Sequence, residues 1–388
     1  MARLFLLISI ILISSVLYSC SSNQKPSSIY TCPASHCYKR YTGKIAGQDV
    51  VVNMIYYKDS GSEIPAAAGS CYYSGKSQII TLTPDSLVDN MIHLTEFVET
   101  ERYIDENAKH PHWSVAIDEK TIKGMWSSAD GSHTETIDLQ ENYDDAYSFD
   151  VLALKDSASA NGKRATYKIL SEQTMLSPAA SVGRQDAEFI TRTLLHELGG
   201  DTIGAGTLNS YLKQSNQSMF ADHKNGITEM VNANDTFEGE SWNWFYDMHN
   251  TCVYNSRGFV GFYFSTYYYC GGAHGINGSR CICVDVKEKK TWHLQDVLAV
   301  DTPKLSSLLE GAARKSFKLK PTDTLSLTLS VDTIPVTGSI MISDCGITFH
   351  YGPYEIACYA MGDISLYLPY TELGEMLRPE FKKRMNLK

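Results

Sequence analysis

The stretch that decides the fold is SWNWFYDMHNTCVY at 241–254, followed by NSR at 255–257 and GFVGFYFSTYYYC at 258–270. Aromatic and β-branched residues are enriched in strands, whereas Asn, Ser and Gly favour the turn between two strands. The stretch therefore predicts a long β-hairpin in the second half of the chain.

The segments around this hairpin alternate between helical and strand-like patterns. From Arg184 to Leu198 the apolar residues recur at the spacing of an amphipathic helix, which Gly199 and Gly200 would end. Further helices are predicted over 208–220, 303–317 and 370–377, and strands over 341–349 and 363–368. Helices mixed with strands indicate an α+β domain in which helices pack on an antiparallel sheet.

The chain before residue 150 has an almost purely strand-like pattern. Short segments rich in β-branched and aromatic residues cover 41–45, 50–57, 70–74, 78–83, 114–117, 122–126 and 134–139. Gly, Asp, Ser or Pro separate them, which is typical of hairpin turns. An antiparallel β-meander that curls into a barrel or half-barrel covers its own edges, so we predict that architecture. The small, polar segment 157–162 is the expected boundary between the two regions.

The N-terminus resembles a bacterial lipoprotein signal. Arg3 precedes an apolar run, Leu4 to Val16, that is too short to span a bilayer comfortably. The next four residues, Leu17 to Cys20, resemble a lipobox, so we expect lipidation of Cys20. The predicted organisation is a signal peptide at 1–19, a lipidated tether at 20–37, an antiparallel β domain at 38–156 and an α+β domain at 157–388. This predicts a lipid-anchored cell-envelope protein, attached to the outer membrane of a Gram-negative bacterium.

Composition narrows the choice of partners. The formal net charge of the 388 residues is −10, and Lys and Arg form no cluster large enough for a phosphate-binding face. Nucleic acid is therefore not an expected partner. An acidic surface is compatible with electrostatic steering of basic partners.

Most of the ten cysteines are disulfide candidates in an oxidising envelope. Cys345 and Cys358 are equally distant from a Tyr-Gly pair, so a hairpin turning there would place them opposite each other and predicts a disulfide. Cys270 and Cys283 are further disulfide candidates. The Cys-Ile-Cys pattern at 281–283 would suit a metal, but no second pair supplies the remaining ligands. The sequence therefore predicts no metal site.

No motif in the chain predicts a catalytic residue or a cofactor. The His196-Glu197 pair lacks the second histidine that a zinc protease helix needs one turn later, and no G-x-S-x-G motif occurs. A dispersed Ser/His/Asp set stays possible, because triads are spatial. In CGGAHG at 270–275 two glycines favour a compact, exposed turn that carries His274. A structural, a binding and a catalytic role for His274 all remain open.

Three ordered motifs resemble the RsiV-type C-terminal domain of lysozyme-sensing anti-sigma factors. They are YYYCGGAHG at 267–275, VDV with TWHLQDVL at 284–298, and FHYGPYEIACYAMG with the following strand at 349–373. The resemblance implies the fold, an envelope location and recognition of lysozyme-like proteins or cell-wall glycan. The ligand-binding candidates on these motifs are Gly271, Gly272, His274, Tyr354 and Glu355.

The chain also departs from the family pattern. Gly275 and Cys358 stand where the family usually has proline, and neither a sigma-binding segment nor a deacetylase domain is present. Sigma-factor control and deacetylation are therefore not expected.

The leading hypothesis is a non-catalytic envelope lipoprotein whose C-terminal domain binds a lysozyme-like protein or peptidoglycan glycan. Its membrane contact is the N-terminal lipid, and no cofactor is expected. One alternative is a cell-wall hydrolase with His274 as base and Glu355 or Asp285 as its partner. Another is a purely structural envelope component.

Overall fold

The fold is described from a computed structural model that covers residues 36–57, 66–75, 78–89, 91–97, 109–199, 206–233 and 239–387. The predicted signal peptide, Cys20 and nearly all of the predicted tether lie outside the described residues. Within those ranges, no helix combines the length and apolar character needed to cross a membrane.

The N-terminal region is a closed antiparallel barrel of eight strands, which confirms the predicted meander. The strands are β1 (His36–Ile45), β2 (Gln48–Tyr57), β3 (Ala66–Tyr73), β4 (Ile80–Val88), β5 (Met91–Phe97), β6 (His112–Ile117), β7 (Thr121–Ser127) and β8 (Thr134–Glu141). Strand β1 pairs with both β2 and β8, so the barrel has no open edge. Trp113, Tyr41 and Met54 fill the interior together with aliphatic side chains from most of the strands.

The predicted hairpin forms the centre of a six-stranded sheet in the order β14-β13-β12-β11-β10-β9. The strands are β9 (Phe149–Asn161), β10 (Thr166–Pro178), β11 (Trp244–Ser256), β12 (Phe259–Tyr269), β13 (Ile276–Asp285) and β14 (Lys290–Trp292). Strands β11 and β12 pair along their length, with Asn255 opposite Val260 beside the turn.

The other pairs in this sheet are antiparallel except β10 and β11, which are parallel. Parallel neighbours need a long crossover connection, and two helices lie between these strands in the chain. The segment 157–162, expected as a boundary, lies mostly in β9 and pairs with β10. The chain therefore passes from barrel to sheet earlier, between Glu141 and Phe149.

In the described part of the C-terminal region, six α-helices and a three-stranded sheet accompany the large sheet, which confirms the α+β class. The helices are α1 (Arg184–Glu197), α2 (Leu208–Asn232), α3 (Leu294–Val297), α4 (Thr302–Ser316), α5 (Tyr370–Leu373) and α6 (Pro379–Met385). The small sheet contains β15 (Ile340–Ile342), β16 (Gly346–Tyr351) and β17 (Ile364–Pro369), in that order. Helix α1 ends as predicted, with Gly199 at φ 77°.

The hairpin predicted between Cys345 and Cys358 is wrong. The segment 341–349 is two strands, β15 and β16, and the chain turns between them at 343–345. Strand β16 pairs with β17 instead, so the Tyr370 amide donates to the Cys345 carbonyl. Cys358 comes beyond the far end of β16, about 20 Å along a six-residue strand. The thiols of Cys270, Cys283 and Cys358 are free.

The barrel docks on the β11–β12 hairpin through buried hydrogen bonds. Arg40 of β1 donates to the carbonyl oxygens of Asn255 and Asn142, at 2.8 and 2.6 Å. The Asn255 side chain in turn donates to the Tyr38 hydroxyl at 2.9 Å. A register shift in β11 between Cys252 and Tyr254 lies beside this contact. Barrel residues such as Tyr38 also belong to the core under α1, so the two regions share buried surface.

Candidate functional site

An exposed aromatic surface is formed where the loop before β13 meets the segment after β16. The His274 imidazole stacks on the Tyr359 ring, with centroids 4.7 Å apart and an interplanar angle of 23°. The Tyr354 ring centroid is 5.5 Å from that of Tyr359. Tyr354 is 63% exposed, which is unusual for a large apolar side chain. We call the group His274, Tyr354 and Tyr359 the aromatic edge.

The loop that carries His274 has a backbone shape that glycine makes possible. Gly271 and Gly272 have φ values of 102° and 96°, a region that side chains other than glycine rarely adopt. A Cβ on Gly275 would lie only 2.4 Å from the Tyr267 ring. The His274 Nδ1–H donates to the Gly275 carbonyl at 2.8 Å, because a carbonyl can only accept. The imidazole is therefore held in one orientation, with Nε2 on its other side.

The second segment is tied to the first by a hydrogen bond. Asn277 of β13 donates to the Tyr359 hydroxyl at 2.7 Å. Glu355, at the same end of the molecule, accepts from the Gly352 amide at 3.0 Å. The structure thus places two of the candidate residues, His274 and Tyr354, against the ring of Tyr359. Tyr359 was not among the predicted residues.

The structure does not pair His274 with either carboxylate of the hydrolase alternative. Glu355 holds the turn at Gly352, and His274 bonds its own loop. Asp285 lies at the opposite end of β13, where it is fully buried and accepts from Arg384 Nε and Nη2 at 2.7 and 3.0 Å. These contacts give Asp285 a structural role.

A buried polar cluster lies around Ser279, two residues after Asn277 on the same face of β13. Ser279 donates to Asp363 Oδ1 at 2.7 Å, and its Oγ is 2.8 Å from His350 Nε2. The Tyr263 hydroxyl donates to Asp363 Oδ2. On the other side of the imidazole, His350 Nδ1 is 3.4 Å from Ser365 Oγ. Burial lowers the pKa of His350, although the nearby Asp363 carboxylate acts in the opposite direction.

This cluster contains the residue types of a catalytic triad but not its geometry. In a triad the carboxylate bonds one imidazole nitrogen and the serine the other. Here Ser279 and Asp363 lie on the same side, with His350 Nε2 3.8 Å from Asp363 Oδ2. The Ser279 hydroxyl donates to the carboxylate rather than to His350, so the imidazole is not placed to remove its proton. The cluster joins β13, β16 and the start of β17 rather than activating a nucleophile.

A cavity of about 190 Å³ adjoins the cluster, between the barrel and the two sheets. Its walls include Asn53, Ile55, Gly69, Ser70, Gln78, Ile79 and Thr81 from the barrel, and Thr251, Cys252, Val253, Tyr263, Cys281, Met341, Thr348, His350 and Ser365 from the C-terminal region. Several of these residues, such as Ile79 and Thr348, are only half-buried, so the cavity reaches the surface. Sequence reasoning missed it, because its walls come from segments about 300 residues apart.

A family model matches part of the C-terminal region. Residues 295–371 match the family model described as "Protein of unknown function (DUF3298)". A crystal structure of a DUF3298 family member from Bacteroides fragilis is similar, with 17% identity, a TM-score of 0.55, and coverage of 62% of this chain and 99% of that one. A DUF3298 family protein from Pseudomonas aeruginosa has 20% identity and a TM-score of 0.41, covering 60% of this chain and 96% of that one. No curated protein matches the sequence. The chain thus has a DUF3298 domain at its C-terminus, in a fold similar to that of the Bacteroides fragilis structure.

Proposed function

We propose that this protein is a non-catalytic lipoprotein of the cell envelope that binds a basic, lysozyme-like protein through the aromatic edge. The observation that carries the proposal is the convergence of His274 with Tyr354 and Tyr359, from segments about 80 residues apart, into one exposed surface. Exposed aromatic side chains are enriched among the residues that dominate binding energy at interfaces. The net charge of −10 would favour encounter with a basic partner.

Two features support binding over hydrolysis. The His274 imidazole is stacked and bonded within its own loop, with Glu355 and Asp285 engaged elsewhere. The hydrolase alternative needs a carboxylate beside this imidazole, and neither Glu355 nor Asp285 bonds it. The second candidate is peptidoglycan glycan, because an exposed tyrosine ring such as Tyr354 offers an apolar face on which a sugar ring can stack.

A titration of the purified protein with lysozyme, and separately with a soluble peptidoglycan fragment, tests this proposal. Tyr354→Ala should weaken lysozyme binding at least tenfold and leave the melting temperature nearly unchanged, because the ring contributes little to the core. Leu327→Ala is the matched control, since Leu327 is 86% exposed and belongs to a different segment.

Normal lysozyme binding by Tyr354→Ala would contradict the proposed surface. If the protein binds the glycan fragment but not lysozyme, and Tyr354→Ala weakens that binding at least tenfold, the partner is the glycan rather than a protein. Binding of neither ligand would leave the structural envelope component as the better hypothesis.

The envelope location rests on the lipobox-like sequence that ends at Cys20. Cys20→Ala should move the protein from the membrane fraction to the soluble fraction, because several acyl chains together are needed for a stable anchor. Incorporation of labelled palmitate into that variant would contradict the assignment.

A further inference from the structure

The cavity between the barrel and the two sheets is large enough for a small organic molecule. An engineered cavity of about 150 Å³ in another protein stays dry and binds benzene. At about 190 Å³, this cavity would hold a benzene ring with one or two additional heavy atoms. Ile55, Ile79, Val253 and Met341 form apolar parts of its wall. Pockets at the junction of two structural units, with a mostly apolar lining and few polar groups, are typical ligand sites.

The polar end of the cavity has a defined hydrogen-bonding character. The Ser279 hydroxyl donates a hydrogen bond to the Asp363 carboxylate, so Ser279 Oγ must accept one from His350 Nε2–H. His350 is therefore the Nε2–H tautomer, and its Nδ1 presents a lone pair. The neighbouring Ser365 hydroxyl is 3.4 Å away, which is too long for a strong bond. His350 and Ser365 both line the cavity, so a ligand donor can replace this weak contact with Nδ1.

The charges at this end of the cavity disfavour anionic ligands. Asp363 is only 3.8 Å from the His350 ring nitrogen, and burial lowers the pKa of His350, which favours the neutral ring. A ligand carboxylate placed next to His350 Nδ1 would meet a lone pair and a nearby negative charge, and the described lining residues include no Lys or Arg to balance it. A neutral ligand has neither penalty.

We propose that this cavity binds a small neutral molecule, about the size of p-cresol, that consists of an apolar body and one O–H or N–H donor. The apolar body lies against Ile55, Val253 and Met341, and the donor bonds His350 Nδ1. This site is distinct from the aromatic edge, and its test does not depend on lysozyme or glycan binding.

Binding of p-cresol and toluene to the purified full-length protein, measured by titration calorimetry, tests the proposal. The two probes share a methylbenzene body and differ in the hydroxyl group. We expect saturable binding of one p-cresol and at least tenfold weaker binding of toluene. A purely apolar cavity would show the opposite order, because toluene is the more hydrophobic.

A cavity-filling variant locates the site. Thr348→Phe places a ring from β16 into the cavity and should weaken p-cresol binding at least tenfold. Thr136→Phe makes the same change on the exposed face of β8, away from the cavity, and should bind p-cresol normally. The probe series on the unmodified protein is decisive even if Thr348→Phe fails to fold. Absence of saturable p-cresol binding, tighter binding of toluene, or normal p-cresol binding by a folded Thr348→Phe would each overturn the proposal.

Discussion

The sharpest stability prediction concerns the buried ion pair at the end of β13. Asp285 accepts four hydrogen bonds, two from Arg384, one from Trp292 Nε1 at 3.1 Å and one from the Glu288 amide at 3.0 Å. Each carboxylate oxygen accepts from two donors. In Asp285→Asn, either orientation of the amide would therefore place its NH2 group against N–H donors. Arg384, whose side chain is only 14% exposed, would lose its counter-charge.

The expected cost follows from this geometry. Removing one partner of a buried pair leaves an uncompensated charge and costs about 3–5 kcal/mol. In a chain of this size that corresponds to a fall of about 4–6 °C in melting temperature. Equilibrium urea unfolding followed by far-UV circular dichroism measures the free energy, with the slope checked for constancy.

The double variant Asp285→Leu with Arg384→Met separates the ion pair from simple packing. Replacing both charges by apolar groups of similar volume removes the unpaired charge, so we expect it to be more stable than Asp285→Asn. A loss below about 1 kcal/mol for Asp285→Asn, or a double variant less stable than the single one, would refute the reasoning. Lysozyme binding by folded Asp285→Asn should be normal, because Asp285 and the aromatic edge lie at opposite ends of β13.

Three other changes test contacts that hold the fold. Gly275→Ala should cost about 1–3 kcal/mol in urea unfolding by pressing on the Tyr267 ring, whereas the unobstructed Gly338→Ala should not. Because the pKa of His350 is lowered in the folded protein, the unfolded chain binds the proton more readily, and the protein loses stability as pH falls below about 6.5. His350→Gln should therefore reduce the change in melting temperature between pH 7.5 and pH 5. Arg40→Met leaves buried carbonyls unpaired and should lower the free energy of unfolding by about 1–3 kcal/mol, measured by urea denaturation.

The elements that the sequence predicted are those whose pattern is local. Two aromatic runs and a turn predict the β11–β12 hairpin, and regular apolar spacing with a glycine at its end predicts α1. Helix α2 continues to Asn232, twelve residues beyond the predicted end, because its second half is polar on most faces. The buried side of this second half includes His223 and Ile227. These residues are buried because the helix packs on strands β9 and β10.

Strands β9 and β10 were missed for a related reason. Strand β9 is rich in Ala, Ser, Asp and Lys, residues that favour turns or helices in isolation. It forms because β10 supplies a continuous antiparallel partner from Thr166 to Pro178. The Cys345–Cys358 hairpin failed similarly, since symmetry around a Tyr-Gly pair is a weak signal compared with the long-range pairing of β16 with β17.

The polar cluster and the cavity lay beyond sequence reasoning because one strand connects them to the aromatic edge only in three dimensions. Asn277, Ser279 and Cys281 are alternate residues of β13 and share one face. The first bonds Tyr359 in the aromatic edge, the second His350 and Asp363, and the third lines the cavity. In the sequence Asn277 and Ser279 belong to no motif, and Cys281 is notable only for the Cys-Ile-Cys pattern. Their roles depend on what is packed on that face, the small sheet and the barrel, and Arg40 fixes the barrel there. The barrel therefore supplies one wall of the cavity, which its own sequence pattern does not predict.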